Sequence, residues 1–209
     1  AQPRYIQYKN KSQILCQLAS IAGYARRNKK HGELTGNLMR FRCSSEYEMS
    51  VDQFWNDIFF EAGFNEYLYH EGLEFSRFEI VEETQKENGA RTRILKAFPH
   101  IEVPRALRRI LGNNIHYFEH GRYDPERRRW HCRIEVPKLS SKLKISSDMW
   151  LIDRPTGGCV RHVDFHIEVR ILGVGRILSR FIKHSLEDTY AQAAHHTNVW
   201  YRENLTPDA

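Results

Sequence analysis

Residues 159–203 read CVRHVDFHIEVR (159–170), ILG (171–173) and VGRILSRFIKHSLEDTYAQAAHHTNVWYRE (174–203), and this stretch decides the fold. Apolar and polar residues alternate in the first part, as they do in a half-buried β-strand. From residue 173 onward apolar residues recur at helical spacing, which predicts a helix over 173–203. About thirty residues at a rise of about 1.5 Å give a helix about 45 Å long. Only a curved antiparallel sheet built from the upstream strands is large enough to cover its apolar stripe.

The two faces of the 159–170 strand predict one buried side and one wet side. The buried side carries Val163, Phe165, Ile167 and Val169, and the wet side carries His162, Asp164, His166 and Glu168. Imidazole and carboxylate groups do bind metals, but successive residues on one strand face stand about 7 Å apart. We therefore interpret the second set as a solvated outer face and predict no metal site.

Charge is distributed unevenly along the 209-residue chain, whose net charge is +6. Residues 1–32 contribute seven Lys or Arg and no Asp or Glu, so the remainder carries a net charge of −1. The body therefore lacks the basic excess of a nucleic-acid-binding domain, and no nucleic-acid partner is expected. No apolar run approaches the length of about 20 residues that spans a bilayer.

The four cysteines, Cys16, Cys43, Cys132 and Cys159, are isolated, with no C-x-x-C pair. This usage favours a reducing intracellular compartment over a disulfide scaffold or a zinc knuckle. The domain organisation that we predict is a basic arm at 1–34, one domain at 35–205 and a short tail at 206–209.

The arm at 1–34 is predicted to be partly helical, and its acid-free amphipathic character resembles an organellar targeting segment. A mitochondrion or plastid is the expected location, with the cytoplasm as the alternative. The arm is interpreted either as a docking element or as a solvated extension. The docking interpretation rests on a basic cluster, which is formed by Arg26, Arg27, Lys29 and Lys30.

Between the arm and the long helix the sequence predicts two short helices and a series of hairpins. Ser50 and Gln53 fit a capping box that begins a helix with an apolar face including Trp55 and Phe59. A second short helix covers 64–71. Asn88-Gly89 is a strong hairpin signal. The predicted strands cover 37–47, 75–84, 91–101, 115–123, 129–136, 143–153 and 159–170.

Two motifs carry a resemblance to a known superfamily. They are the segment SVDQFW at 50–55, after the first strand, and the segment ILGVGRI at 171–177, which leads into the last helix. With the order of elements, they resemble the helix-grip fold of the START-like (SRPBCC) superfamily, closest to a bacterial-type branch. The resemblance covers about 37–203. It implies an α+β fold in which a curved seven-stranded antiparallel sheet wraps around a long C-terminal helix, with two short helices after the first strand.

The resemblance further implies an elongated apolar cavity between sheet and helix, gated by 104–112 and 137–141. The expected function is non-enzymatic binding or transport of a hydrophobic small molecule such as a lipid, sterol or isoprenoid. Alternation predicts that Met39, Phe41, Ile94, Phe98, Trp130, Ile134, Ile145, Met149, Val163, Phe165 and Ile167 face inward, together with Leu178, Phe181, Ile182 and Tyr190 of the helix. The predicted ligand-binding residues are Phe41, Trp55, Phe59, Phe98, Trp130, Met149, Phe165, Phe181, Ile182 and Tyr190.

Three alternatives stay open at this point. The bulky inward side chains can fill the space and leave a packed core. The domain can be an accessory subunit of a larger assembly docked through the arm, with a peripheral membrane contact as a further expectation. An aromatase- or cyclase-like enzyme would need an acid–base pair from His100, His116, His120 and His131 with Arg93, Glu102, Glu119 and Glu135, whose faces the sequence leaves undecided. No catalytic residue and no cofactor is predicted.

Overall fold

A computed structural model describes residues 37–112 and 114–206, and its strands form one antiparallel sheet. The strands are β1 (Asn37–Tyr47), β2 (Arg77–Gln85), β3 (Arg91–Phe98), β4 (Tyr117–Asp124), β5 (Arg129–Glu135), β6 (Leu143–Asp153) and β7 (Cys159–Val169). Their order in the sheet is β1-β7-β6-β5-β4-β3-β2. Each strand from β2 onward therefore pairs with the next one in sequence, and β7 returns to lie beside β1.

The two short helices after β1 and the long C-terminal helix lie where the sequence predicts them, and a further short helix precedes β4. They are α1 (Val51–Gln53), continued by a π-helical turn (Phe54–Ile58); α2 (Ala62–Tyr67), continued by a second π-helical turn (Leu68–Gly72); α3 (Arg105–Leu111); and α4 (Gly175–Asn204). A 3₁₀ turn covers Pro137–Leu139. The capping box is confirmed, because Gln53 N donates to Ser50 Oγ at 3.2 Å and Ser50 N donates to Gln53 Oε1 at 3.0 Å.

The long helix α4 covers the inner, concave face of the sheet. Val163, Phe165 and Ile167 of β7 are fully buried under it. The N-terminal half of α4 packs with α3, the 3₁₀ turn and the ends of β6 and β7. Its C-terminal half packs with α1 and the opposite ends of the same strands. The predicted helix-grip architecture is confirmed.

The strand register brings small side chains together in the middle of the inner face. Gly121 of β4 pairs with Cys132 of β5, which in turn pairs with Ser147 of β6. At one end this row meets Arg93 of β3, and at the other end it meets Phe165 of β7. Small residues therefore occupy the centre of the inner face, and the Trp130 ring covers the glycine among them.

One strand presents the opposite face from the one predicted. Ile94 and Phe98 were expected to face inward, but the buried residues of β3 are Arg93, Leu95 and Ala97. The Phe98 ring instead stacks on His116 at 5.5 Å, on the outer face. Both faces of β3 carry apolar residues, so alternation alone does not select the inner one.

The predicted arm at 1–34 lies outside the described residues, and so does the docking cluster of Arg26, Arg27, Lys29 and Lys30. The same is true of positions 207–209 of the tail. None of the described helices is long and apolar enough to cross a membrane.

Gly121 is predicted to be essential for packing, because the Trp130 ring lies across it. A Cβ added at Gly121 would lie 1.7 Å from Trp130 Cζ2, whereas a Cβ at Gly175 would meet Val169 Cγ1 at 3.6 Å. We expect Gly121→Ala to lower the free energy of unfolding by about 1–3 kcal/mol, measured by urea denaturation. Gly175→Ala is the matched control and is expected to keep the stability. Equal effects of the two substitutions would contradict this packing.

Candidate ligand-binding site

The inner face of the sheet carries charged residues in an otherwise apolar setting. Arg93 of β3 and Arg161 of β7 are only 5% and 7% exposed. Glu119 of β4 faces the same side, because it pairs with Ile134 of β5 and Leu95 of β3. Charged side chains are rarely buried without a partner. These three residues therefore mark a candidate functional site on the inner face of the sheet.

Arg93 is held by the segment that joins the two short helices. Its Nη1 donates to the backbone oxygen of Phe59 at 3.4 Å and to Asn65 Oδ1 at 3.3 Å. Its guanidinium carbon lies 5.1 Å from the Phe59 ring centroid and 5.4 Å from that of Trp130. These ring faces attract the cation. Phe59, which follows the π-helical turn after α1, and Trp130 of β5 therefore position Arg93.

Arg161 ties the sheet to the long helix. Its Nη2 donates to the backbone oxygen of Tyr190 at 3.1 Å. Its guanidinium carbon lies 4.7 Å from the Tyr190 ring centroid and 5.2 Å from that of Tyr47. A planar cation between two aromatic rings suits arginine.

Glu119 is a carboxyl group in a desolvated position. Burial raises its pKa above the ordinary value of 4.5, and this effect outweighs the lowering by the Arg93 charge and by a hydrogen bond that the Tyr117 hydroxyl donates. No described residue forms an ion pair with Glu119 within 4.0 Å. The group is therefore poised to hold a proton more readily than a surface glutamate.

Neutral polar groups surround Glu119. Burial raises the pKa of Tyr69 and Tyr117 well above the ordinary value, and the nearby Glu119 charge adds to the effect. The same two causes raise the pKa of Tyr190 and of the Cys132 thiol. We call this set the interior polar cluster, and its members are Tyr69, Arg93, Tyr117, Glu119, Cys132 and Tyr190. It offers hydroxyl and guanidinium donors beside one titratable acceptor.

The depth of burial along α4 varies in a way that bears on the site. Near the ends of the helix, Leu178 and Ser179 are fully buried and Thr197 nearly so. In the middle, the inward-facing residues Phe181, Ile182, Leu186 and Tyr190 are only half-buried. The long helix is therefore sealed against the sheet at both ends and less tightly covered in between.

All of the predicted ligand-binding residues except Phe98 lie in the apolar clusters beneath α4. Phe41 stacks on Phe165 at 4.9 Å, and Phe165 meets Tyr190 edge to face at 5.1 Å. Around the α1 end, Phe59 lies 5.2 Å from Trp55 and 5.1 Å from Trp130. Met149 is buried in the same cluster, and Phe181 and Ile182 pack in the cluster at the other end of the helix. The prediction for Phe98 is wrong, because that residue lies on the outer face.

The polar residues of the site were largely missed by sequence reasoning. Arg93 and Glu119 were named without a face, and Tyr69, Tyr117 and Arg161 were not considered. Charged residues are placed outside by default, so nothing in the periodicity draws attention to them. The usable signal is the hairpin register: once Ile134 faces inward, its partner Glu119 must do so as well.

Neither His120 nor His131 faces the inner side of the sheet with Glu119, and His100 lies outside the strands. His131 pairs with Asp148 at 2.9 Å and His120 lies 3.4 Å from Glu135, both on the outer face. His100 and Glu102 are exposed in the segment before α3.

On the wet side of β7, Asp164 forms a two-pronged ion pair with Arg42 at 2.6 and 2.8 Å. Among residues 37–112 and 114–206, no group of three His, Cys, Asp or Glu is arranged to hold a metal ion.

Two surface hollows of about 170 and 310 Å³ adjoin the turn between β4 and β5. Arg122 and Asp124 line both of them. They lie outside the sheet and are open to solvent, so neither encloses an apolar molecule.

A curved antiparallel sheet that grips a long C-terminal helix is the fold of START-like (SRPBCC) proteins, so the predicted resemblance in fold is confirmed. The chain belongs to the family described as Protein of unknown function (DUF2505), whose sequence profile matches residues 42–201. No curated protein matches the chain.

Similar solved structures include norcoclaurine synthase from Thalictrum flavum, with a TM-score of 0.57 and 17% identity over 85% of this chain and 96% of that one. The Zhui aromatase/cyclase from Streptomyces sp. R1128 gives a TM-score of 0.58 and 10% identity, over 81% and 97% of the two chains. A protein from Thermus thermophilus, TTHA0849, gives 0.52 and 11%, over 80% and 100%. At these identities the likeness is one of fold alone.

The buried position of Glu119 predicts a pH-dependent penalty on stability. The folded-state pKa of Glu119 lies above the ordinary value of 4.5. Between the ordinary pKa and the folded-state pKa the carboxyl loses its proton more readily in the unfolded chain, so the wild-type protein loses stability as the pH rises through this interval. We expect Glu119→Gln to gain stability relative to wild type as the pH rises above 4.5, because glutamine has no proton to lose. Urea denaturation across this range measures the difference.

Glu82→Gln, on the exposed part of β2, is the control for losing a carboxylate. If the difference in the free energy of unfolding between Glu119→Gln and wild type stays constant with pH, Glu119 is not a buried carboxyl with a raised pKa.

Proposed function

We propose that the protein binds an apolar small molecule that carries a polar group, in a space between the inner face of the sheet and the middle of α4. The observation that carries the proposal is the accessible surface that Tyr117, Glu119 and Tyr190 keep beneath the half-buried middle of α4. The small residues Cys132 and Ser147 lie on the same inner face of the sheet.

The space follows from how the helix and the sheet meet. Tightly buried contacts at Leu178 and Thr197 hold the two ends of α4 on the sheet. Between these contacts, Tyr117, Glu119 and Tyr190 are deep among protein atoms, yet each keeps accessible surface. Surface that is both deep and accessible to water indicates room inside the protein.

The lining of this space suits an amphipathic ligand. Aromatic and aliphatic side chains from β1, β7 and α4 cover one part, including Phe41, Phe165 and Ile182. The interior polar cluster, which includes Cys132, covers another part, around Glu119. Small-molecule sites commonly combine an apolar lining with a few convergent polar groups that fix orientation.

Apolar burial supplies enough free energy for useful affinity. A ligand that loses about 300 Å² of apolar surface gains about 7.5 kcal/mol at about 25 cal/mol per Å². The loss of translational and rotational freedom reduces this gain. Micromolar titrations are therefore the appropriate range for a test.

The Glu119–Tyr117 pair supports a second candidate function, acid–base catalysis on a molecule bound in the same space. A carboxyl group with a raised pKa beside a hydroxyl donor is the type of pair that such chemistry uses. Binding is the requirement that both candidates share. The other alternative, an accessory subunit docked by the basic arm, rests on positions outside the described residues.

Filling the space is expected to abolish binding of an apolar probe. Ser147 is 3% exposed on the inner face, whereas its neighbour Ser146 points to the outer face beside Arg133 and His166. We expect Ser147→Phe to weaken binding of the fluorescent probe N-phenyl-1-naphthylamine at least tenfold, because the added ring occupies the proposed space. Fluorescence titration measures the affinity.

Ser146→Phe is the matched control and should leave the affinity unchanged. Far-UV circular dichroism confirms that both variants are folded. An unchanged affinity in folded Ser147→Phe, or equal losses in the two variants, would place the probe elsewhere.

A further inference from the structure

We infer that the ligand is an apolar anion whose negative group lies against Arg93. The inference rests on the proposed function, since it describes the chemistry of a molecule bound in the same space. It follows from the charges on the inner face, from the contacts of the two buried arginines and from the position of Arg93 at the edge of the proposed space.

The deep part of the inner face carries more positive than negative charge. Arg93 and Arg161 contribute two guanidinium groups, and Glu119 is the one carboxyl of the described residues that faces them there. At the rim beside β1, Lys183 pairs with Glu187 and so adds no net charge. At least one buried positive charge is therefore left without a counter-charge in the part of the chain that the structure describes.

Neither buried arginine has a carboxylate partner. Of the ion pairs formed by residues 37–112 and 114–206, none joins Arg93 or Arg161 to an acid within 4.0 Å. Both instead donate to neutral oxygen atoms. A buried guanidinium is stabilised best by an anion that accepts two parallel hydrogen bonds. A bound anion would supply this missing partner.

Arg93 is the better placed of the two. Arg161 packs against two tyrosine rings and donates to the α4 backbone at 3.1 Å. These contacts explain its burial as a link between β7 and α4. Arg93 makes longer contacts of 3.3 and 3.4 Å, both through Nη1. Its strand partner is Gly121, and the Trp130 ring that covers Gly121 lies 5.4 Å from the Arg93 guanidinium carbon, so Arg93 stands beside this ring at the edge of the proposed space.

Glu119 is compatible with an anion at this position. Its raised pKa means that the carboxyl can remain neutral beside a bound negative charge and donate a hydrogen bond to it.

A pair of probes that differ in one charged group tests the inference. N-phenyl-1-naphthylamine is neutral, and 8-anilinonaphthalene-1-sulfonate has the same ring system with a sulfonate added. We expect the wild-type protein to bind the sulfonate at least tenfold more tightly. Arg93→Met should remove this preference, because the sulfonate loses its guanidinium partner. Arg161→Met, the matched loss of a buried arginine, should keep the preference.

Arg93→Lys guards against a misfolded methionine variant, because it retains the charge and loses only the planar fork. A drop of at least threefold in its preference supports the inference, and an unchanged preference overturns it. The inference is also overturned if wild type shows no preference for the sulfonate, or if Arg161→Met removes the preference and Arg93→Met does not.

Ser147→Phe separates this inference from the proposed function. If that variant leaves both probe affinities unchanged, the probes bind outside the interior and the proposed function fails. If Ser147→Phe weakens the binding of both probes but the preference for the sulfonate probe does not depend on Arg93, the proposed interior site is supported. In that case only the inference of an anionic ligand is rejected.

Discussion

The contact between α4 and the concave sheet is the constraint on which the rest of the structure depends. A helix of 30 residues crossing a curved surface can be sealed at both ends and still stand away from the centre. Here Leu178 and Thr197 are buried near the ends, whereas the central row of the sheet is built from Gly121, Cys132 and Ser147. Larger residues in that row would close the gap and produce an ordinary packed core. The Trp130 ring takes the space over Gly121, so the proposed room lies over Cys132 and Ser147, beneath the middle of the helix.

The polar groups in this interior are unfavourable for stability, which suggests that they serve another purpose. A desolvated carboxyl and two guanidinium groups without acidic partners each oppose folding unless other contacts compensate. The aromatic rings around Arg93 and Arg161 provide part of that compensation. Apolar residues of similar volume would fill the same positions more favourably. Residues that lower stability in this way are characteristic of functional sites.

Much of the fold could be predicted from the sequence, but the site could be predicted only in part. Strict alternation in β7, the capping box at Ser50 and the helical spacing after Gly173 each have a local physical cause. The inner face of β3 could not be read from alternation, because Ile94 and Leu95 are equally apolar. Glu119 and Arg93 face inward for a non-local reason, the register set by neighbouring hairpins. Pairing the strands before assigning faces would have placed both residues correctly.

The most direct test of the central claim is a crystal structure of the protein with N-phenyl-1-naphthylamine bound. The space between sheet and helix is predicted to hold the probe over Cys132 and Ser147, with its rings toward Phe165 and its amine toward the Glu119 carboxyl. Density for the probe on the outer surface alone, with side chains filling the region beneath the middle of α4, would contradict the account. The domain would then be a packed helix-grip fold without an interior site.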